Sequence, residues 1–367
     1  MLSSTLPLLT RFHLLILIGF IYATSTGRAQ AQQPARTEIA NAAQPQLAVS
    51  ADGRVWLAYG HGTDIFVAGS DDGAVTFQNA IKVASVPKLM LGMRRGPRIV
   101  AHGDELVLTV VAHELLAYRS TDAGRSWTGP VTINDVALSA REGLHDLAIS
   151  PQGSAMVTWL DLRNGKMELW GASSQDVGRT WSKNEQIYKS PDKSICECCH
   201  PTALFDAGGN LAIMWRNSIE GSRDMWMTTR TKGAQNFSAA RKLGEGTWKL
   251  NACPMDGGEI IAFSGGKFGA VWQRNGEVFV TLGDGPEVSL GPGRQPVSVT
   301  GGGQPLVVWQ QGTNLVTVRD LSGTEPVKQA AEARFASLAA LPGGNGRVLA
   351  YERVKAKGAT TVVVERL

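Results

Sequence analysis

Short apolar strands that end in an aromatic residue recur along most of the chain. A shorter apolar strand and a glycine-containing turn precede each one, and a third strand follows it. The aromatic ends are Tyr59, Trp159, Trp215, Trp272, Trp309 and Tyr351. Apolar and β-branched runs of this length between turn residues are typical of strands. The unequal spacing of the aromatic positions indicates one structural unit with connecting loops of different length.

The pattern divides the chain into seven such units. They lie near residues 45–84, 96–134, 145–189, 201–243, 258–290, 296–328 and 336–366. Each unit predicts a small antiparallel sheet, and a ring of such sheets is a β-propeller. The last unit has only three strands, so we expect Thr37–Ala40 to supply its outer strand and close the ring. The predicted fold is therefore an all-β propeller of four-stranded antiparallel blades, with residues 32–367 as its one domain.

A turn motif repeats after the third strand of several units. Its copies are Ser174–Trp181, Ser120–Trp127 and, more loosely, Ser70–Phe77. An Asp in each copy can bond nearby backbone N–H groups, and a Gly in the two closer copies can adopt positive φ. The Asp residues are therefore expected to hold turns together, and the aromatic residue that ends each motif returns the chain to a strand.

This motif resembles the Asp box, or BNR repeat, of the sialidase-like proteins. The resemblance implies a β-propeller in which the motif forms outer turns away from the catalytic face. Many proteins that carry the motif are not sialidases, so it implies architecture more than activity. True sialidases have six blades, which is the alternative to the seven that the repeats favour.

The N-terminus has the features of a signal peptide. Arg11 precedes an apolar run, Leu14–Ala23, that is too short to span a bilayer, and Ala29-Gln-Ala31 fits a cleavage site. Cleavage after residue 31 removes two arginines and no acids, so the net charge falls from +4 to +2. A nearly neutral chain gives no electrostatic reason to bind nucleic acid. We expect a periplasmic or secreted monomer with no later membrane span.

In propellers, the loops that lead into the innermost strands meet around the axis on one face, an analogy at the level of the fold. These loops are rich in charged side chains. The candidate ligand-binding residues among them are Arg95, Arg141, Glu142, Arg294 and Arg334. They favour a glycan or another anionic small molecule as the ligand.

The same loops carry all four cysteines of the chain, and the candidate soft ligands are Cys196, Cys198, Cys199, His200, Cys253 and Met255. Cys253 is expected to lie near the others because its loop belongs to the neighbouring blade. Three interpretations stay open. Exported cysteines usually form disulfides. The stretch Cys196–His200 also fits the attachment motif of a c-type haem. Thiolates with a histidine or a methionine would suit copper or zinc.

Sialidase activity makes a further demand on the sequence. The family resemblance implies an arginine triad, an Asp acid/base and a Tyr nucleophile. The tyrosines after residue 31 are Tyr59, Tyr118, Tyr188 and Tyr351, and the pattern places all of them in strands. The leading hypothesis is therefore a non-hydrolytic binding protein with no assigned catalytic residue. The alternatives are an exo-sialidase and a haem or copper protein.

Overall fold

The structure is a computed structural model that describes residues 1–2, 36–301, 305–318, 321, 326–354 and 358–367. The predicted signal peptide, apart from its first two residues, lies outside the described residues. The described chain is built from strands and one short 3-10 turn, Pro342–Gly344. No helix of the described part has the length and apolar character needed to cross a bilayer.

The strands form seven antiparallel sheets of four strands each. The first strand, β1 (Arg36–Ala40), belongs to the last sheet. Blade 1 holds β2 (Ala43–Val49), β3 (Val55–His61), β4 (Asp64–Ser70) and β5 (Ile81–Ser85). Blade 2 holds β6 (Arg98–His102), β7 (Glu105–Ala112), β8 (Glu114–Ser120) and β9 (Thr128–Thr132). Blade 3 holds β10 (His145–Ile149), β11 (Ala155–Asp161), β12 (Glu168–Ser174) and β13 (Glu185–Tyr188). Blade 4 holds β14 (Thr202–Phe205), β15 (Leu211–Arg216), β16 (Met225–Arg230) and β17 (Arg241–Lys242).

The remaining blades follow the same order. Blade 5 holds β18 (Gly258–Ala262), β19 (Phe268–Arg274), β20 (Glu277–Thr281) and β21 (Val288–Pro292). Blade 6 holds β22 (Arg294–Val299), β23 (Leu306–Gln311), β24 (Asn314–Val318) and β25 (Val327–Ala330). Blade 7 holds β26 (Ala333–Ala340), β27 (Arg347–Val354), β28 (Thr360–Arg366) and β1. The innermost strands of successive blades contact one another, and β26 contacts β2, so the sheets form a closed ring.

Both predictions about the ring are confirmed. The blades number seven, as the repeats favoured. The N-terminal strand β1 pairs with β28 in antiparallel register, from Arg36 opposite Glu365 to Ala40 opposite Thr361. The last blade is therefore completed by the beginning of the chain, and the ring closes through backbone hydrogen bonds.

The second strand of each blade supplies the core between blades. The side chains of Trp159, Trp215 and Trp272 are at most 1% exposed. Each packs against the preceding blade; Trp215, for example, shares a cluster with Met156 and Leu169 of blade 3. Burying an indole of this size removes a large apolar area from water. The tryptophans are thus structural.

The three repeated turns share one hydrogen-bond pattern. In the third copy, Asp176 accepts from the Thr180 backbone N–H at 2.8 Å, from the Thr180 hydroxyl at 2.7 Å and from the Ser174 hydroxyl at 2.8 Å. These bonds lower the pKa of Asp176 to about 2, and the bond from the Thr180 backbone N–H has the largest effect. Gly178 has φ +72°, and a Cβ there would lie 2.7 Å from Val107 of the neighbouring blade. The turn therefore needs glycine both for its backbone conformation and for its contact with blade 2.

Candidate functional site

The antiparallel order of the strands separates the two faces of the ring. The innermost strand of every blade begins on one face, which we call the axial face. The repeated turns join third to fourth strands, so they lie on the opposite face. The charged loops and the cysteines that the sequence analysis singled out precede innermost strands and therefore lie on the axial face.

A cavity of about 420 Å³ runs along the axis of the ring. The innermost strands of all seven blades contribute to its lining. Most of the lining is apolar or neutral. The ionisable side chains in it are Arg94, Arg98, Asp146, His200 and Glu259. All five lie at or just before the start of an innermost strand, so they occupy the end of the cavity nearest the axial face.

Arg94 connects distant blades around this end of the cavity. Its guanidinium donates to the carbonyl oxygen of Ala336 in blade 7 at 2.9 Å and to that of Gln295 in blade 6 at 3.1 Å. The third guanidinium nitrogen, Nε, is buried and has no hydrogen-bond partner. Burial lowers the pKa of Arg94 to about 10, which leaves the group charged at neutral pH. The Nε donor of this half-buried cation therefore has no hydrogen-bond partner beside the cavity.

The carboxyl groups of the cavity do not fully balance its arginines. Asp146 faces Nε of Arg98 at 3.5 Å and accepts from the Ala203 backbone N–H at 2.9 Å. Burial, reinforced by Asp146, raises the pKa of Glu259 to about 8. Burial next to Arg94 and Arg98 lowers the pKa of His200, so its ring is neutral. Burial also raises the pKa of Asp146, so the two guanidinium groups face two carboxyl groups whose ionisation is disfavoured, and Glu259 is largely protonated at pH 7.

The candidate ligand-binding residues occupy different places on the axial face. Arg95 and Glu142 lie together, since Arg95 donates to the Glu142 carbonyl oxygen at 2.5 Å. Arg334 is held by an ion pair with the buried Glu352 at 2.9 Å. Arg141 and Arg294 are exposed.

The cysteines converge on the axial face between blades 4 and 5. Cys198 and Cys253 form a disulfide, with their Cα atoms 6.1 Å apart. The expected proximity of Cys253 to the cluster is therefore confirmed, and one bridge links the loops that precede these two blades. Cys196 and Cys199 are free thiols. Their sulfur atoms lie 3.6 Å apart, and each residue is only 1% exposed.

The surroundings of the two thiols differ. The contact with Cys199, aided by the positive charge of Arg216, lowers the pKa of Cys196 to about 6. Burial raises the pKa of Cys199, which also accepts a hydrogen bond from the Asp256 backbone N–H at 3.4 Å. Arg216 is itself buried and donates to three backbone carbonyl oxygens around the cluster. Cys196 is therefore the more acidic of the pair.

This geometry does not fit a c-type haem. A haem bonded to Cys196 and Cys199 would need open space over both sulfur atoms, and each sulfur is buried against the other. His200 lines the axial cavity, with its ring 2.5 Å from where a Cβ on Gly257 would lie. A tetrahedral soft-metal site needs four ligands. The sulfur atoms of Cys196, Cys198 and Cys199 lie within 4.8 Å of one another, but Cys198 is bonded to Cys253, so a tetrahedral zinc site lacks ligands and a copper site stays a prediction.

Known structures of very different sequence share this architecture. Neither the family models nor the curated proteins gave a match. A leech intramolecular trans-sialidase is 12% identical to this chain and has a TM-score of 0.53. The match covers 89% of this chain and 68% of the trans-sialidase chain. The chain has a seven-bladed β-propeller fold. A virginiamycin B lyase from Staphylococcus aureus is also similar, with 12% identity and a TM-score of 0.54 over 89% of this chain and 98% of its own. A protein of unknown function from Dyadobacter fermentans has 13% identity and a TM-score of 0.51 over 91% of this chain and 100% of its own. The fold resemblance implied by the repeated turn is thus confirmed, and identities this low show the fold alone.

In this propeller, the described tyrosines are engaged in the blades. Tyr59 stacks on Phe66, and Tyr118 is buried. The Tyr188 hydroxyl accepts from Asn217 at 2.8 Å, and the Tyr351 hydroxyl donates to Glu365 at 2.7 Å. None of these four side chains lines the axial cavity.

Arg94 and Asp146 belong to the charged loops that the sequence places on the axial face, whereas Arg98 and Glu259 were not expected to line the site. Arg98, Asp146 and Glu259 each occupy the first or second position of an innermost strand of the propeller. An ionisable residue at the start of an innermost strand lies near the mouth of the ring, although not every such residue lines the cavity, since Arg294 and Arg334 do not. Arg94 gave no comparable signal, since its partners lie in blades 6 and 7, far away in sequence.

Proposed function

We propose that this protein is an exported, non-hydrolytic binding protein for a small anionic ligand such as an acidic sugar. The observation that carries the proposal is the charged end of the axial cavity, where the half-buried Arg94 has an Nε atom without a hydrogen-bond partner. Export through the N-terminal segment is part of the proposal. The disulfide supports it, because disulfides persist in oxidising compartments.

The electrostatics of the cavity favour an anion. Arg94 is charged at neutral pH, whereas Glu259 is largely neutral. A carboxylate or phosphate would balance the excess charge and could accept from Nε of Arg94. A protonated Glu259 could donate to the same ligand. Hydrogen bonds between charged groups are stronger than those between neutral groups. They are stronger still inside a cavity that is shielded from bulk water.

The size of the cavity and the residues near it agree with a small ligand. A cavity of about 420 Å³ lies at the lower end of the range for small-molecule sites. The exposed Arg141 and Arg294 on the axial face would attract an anion toward the cavity. Hydrolysis by the sialidase mechanism lacks support, because each tyrosine of the described chain serves the packing or bonding of a blade.

The test is a binding titration with defined probes. N-acetylneuraminic acid, glucuronic acid, inorganic phosphate and neutral galactose would be titrated by calorimetry, and a fluorogenic sialoside would report hydrolysis. We expect binding of at least one anion, none of galactose and no turnover. Arg94→Lys keeps the charge but loses the planar set of donors, so it should weaken binding about 10- to 100-fold, the effect of one lost charge-assisted bond.

Two double variants separate the axial face from general surface charge. Arg141→Ala with Arg294→Ala removes exposed cations of the axial face, and Arg125→Ala with Arg179→Ala removes exposed cations from the repeated turns on the opposite face. Only the first should weaken binding, and the loss should be greatest at low salt. Equal affinities in the two double variants, binding of galactose alone, or turnover of the sialoside would each overturn the proposal. Thermal unfolding of every variant checks that the fold is retained.

A further inference from the structure

The geometry of the four cysteines points to a second activity that is independent of anion binding. We propose that they form a thiol–disulfide relay, in which the buried dithiol Cys196/Cys199 reduces an external disulfide through the surface pair Cys198/Cys253. The substrate class is a small or protein-borne disulfide that reaches the axial face.

The arrangement has an inner and an outer pair. Cys196 and Cys199 are each 1% exposed, so an external disulfide cannot reach them directly. Cys253 is exposed, and Cys198 is partly buried between it and the dithiol. The Cys196 sulfur lies 3.8 Å from the Cys198 sulfur and 3.6 Å from the Cys199 sulfur. An unbroken path of sulfur atoms therefore runs from the buried dithiol to the surface.

Two exchange steps move the disulfide inward without any outside reagent. The Cys196 thiolate attacks the Cys198 sulfur, so that a Cys196–Cys198 bond forms and the Cys198–Cys253 bond breaks, releasing Cys253 as a thiolate. The Cys199 thiolate then attacks the Cys196 sulfur, forming a Cys196–Cys199 disulfide and releasing Cys198. One disulfide and two thiols are present before and after, and the two protons of the dithiol move to the surface pair.

The surface pair then reacts with the external disulfide. The Cys253 thiolate attacks one substrate sulfur, forms a mixed disulfide and expels the first substrate thiol. Cys198 attacks Cys253, restores the Cys198–Cys253 bond and releases the second substrate thiol. Over the whole sequence the inner dithiol is oxidised to a disulfide, the substrate disulfide is reduced to two thiols, and two electrons and two protons are transferred.

The first experiment uses the wild-type protein and needs no substitution. Native protein at pH 8 is alkylated with iodoacetamide, then denatured, reduced and labelled with a second reagent before peptide mapping. The relay predicts that the first label is found on Cys198 and Cys253, although these two are bonded in the resting structure. First label confined to Cys196 and Cys199, or no first label on a protein that keeps both free thiols, would overturn the proposal.

The second experiment measures electron transfer to a defined disulfide, 5,5′-dithiobis(2-nitrobenzoate). The wild type should release two thionitrobenzoate ions per chain and lose two hydrogens in intact mass, with no retained adduct. The variant with Cys198→Ser and Cys253→Ser keeps the dithiol but lacks the outer pair. Its reaction should be at least tenfold slower, because the dithiol would then react only through local opening of the fold.

The variant carries its own control. After denaturation it should still release two equivalents, which shows that both inner thiols are intact, and its thermal unfolding reports whether it folds. Equal native rates for the folded variant and the wild type would show direct attack on the dithiol and refute the relay. If the variant does not fold, the wild-type labelling pattern alone decides, since it depends on no substitution.

Discussion

Glu259 shows how the ring controls the charge of a single residue. Its carboxyl group lies in the axial cavity near Asp146, with Arg94 and Arg98 close enough to stabilise its anion in part. Burial and the neighbouring carboxylate outweigh the arginines, so the pKa of Glu259 rises to about 8. A side chain that is ionised at neutral pH in the unfolded chain is therefore mostly protonated in the folded one.

This shift predicts a pH-dependent stability that Glu259→Gln should remove. The favourable contribution of Glu259 to folding is fully present below its unfolded pKa of about 4. It is lost as the pH rises from there through about 8, because the folded protein must then bury the anion. The variant should therefore gain stability over the wild type between pH 5 and pH 9. After allowance for water in the cavity, we expect a gain of about 1 to 2 kcal/mol, measured by urea unfolding at each pH.

Glu197→Gln is the matched control for this prediction. Glu197 is exposed on the axial face, beside the cysteine cluster. Its substitution removes the same charge without altering the cavity, so the difference from the wild type should stay flat across the pH range. A flat profile for Glu259→Gln as well would show that the Glu259 carboxyl group is ionised in the folded protein at neutral pH.

At the scale of the element, the second strands hold neighbouring blades together through their tryptophans. Trp159 and Trp215 occupy equivalent places in blades 3 and 4, and both are buried. They differ in their polar atom. Nε1 of Trp159 donates to the buried Asp161 carboxylate at 2.7 Å, whereas Nε1 of Trp215 has no partner. Comparing these two residues therefore distinguishes the stability contributed by packing of the indole ring from the stability contributed by its hydrogen bond.

Replacing each of these tryptophans with phenylalanine should give unequal losses. Both variants lose part of an aromatic ring and leave a small cavity. Trp159→Phe also removes a bond to a buried carboxylate, while Trp215→Phe removes an N–H that is already unpaired. We expect Trp159→Phe to be the less stable variant by about 1 to 2 kcal/mol, compared by guanidinium unfolding. Equal midpoints would mean that Ser139 and Arg163, which also bond Asp161, fully replace the lost donor.

The elements were predictable from the sequence because their causes are local. A blade follows from apolar runs between turns, and an aromatic residue marks the second strand in six of the seven blades. The missing fourth strand of the last unit predicted the role of β1, since an unpaired sheet edge needs a partner. The Asp residues of the repeated turns were likewise readable, because their hydrogen-bond partners lie within four residues.

The site was less predictable because its causes are distant. The fold places Cys253 near the other cysteines, yet the sequence does not state which cysteine it bonds; the pairing with Cys198 depends on loop geometry. Arg334 reads as a free cation in the sequence, but the structure pairs it with the buried Glu352 of the adjacent strand. In the sequence, Arg94 is only one of several loop arginines. In the folded ring, it bonds carbonyl groups of two other blades.

At the scale of the whole molecule, the closed ring depends on a strand from the other end of the chain. β1 pairs along its length with β28, and Asn41 continues the contact with a bond to Thr360 at 2.8 Å. Ile39 also packs on the core cluster shared by blades 1 and 7. Without β1, the outer edge of β28 would present unpaired backbone groups to solvent, and such edges promote association between molecules.

A chain that begins at Ala42 should therefore be less stable than one that begins at Arg36. The loss of the closing strand should cost at least about 2 kcal/mol, because several backbone hydrogen bonds of about 1 kcal/mol each disappear. Thermal unfolding should show a midpoint lower by roughly 5 °C. Light scattering should show association, and a separate peptide of residues 36–41 should partly restore the midpoint.

The control keeps the strand but replaces Arg36 and Glu38 with alanine, which removes surface ion pairs worth less than about 1 kcal/mol. If the shortened chain unfolds at the same temperature as this control, the ring is stabilised by contacts between blades alone and β1 does not stabilise it.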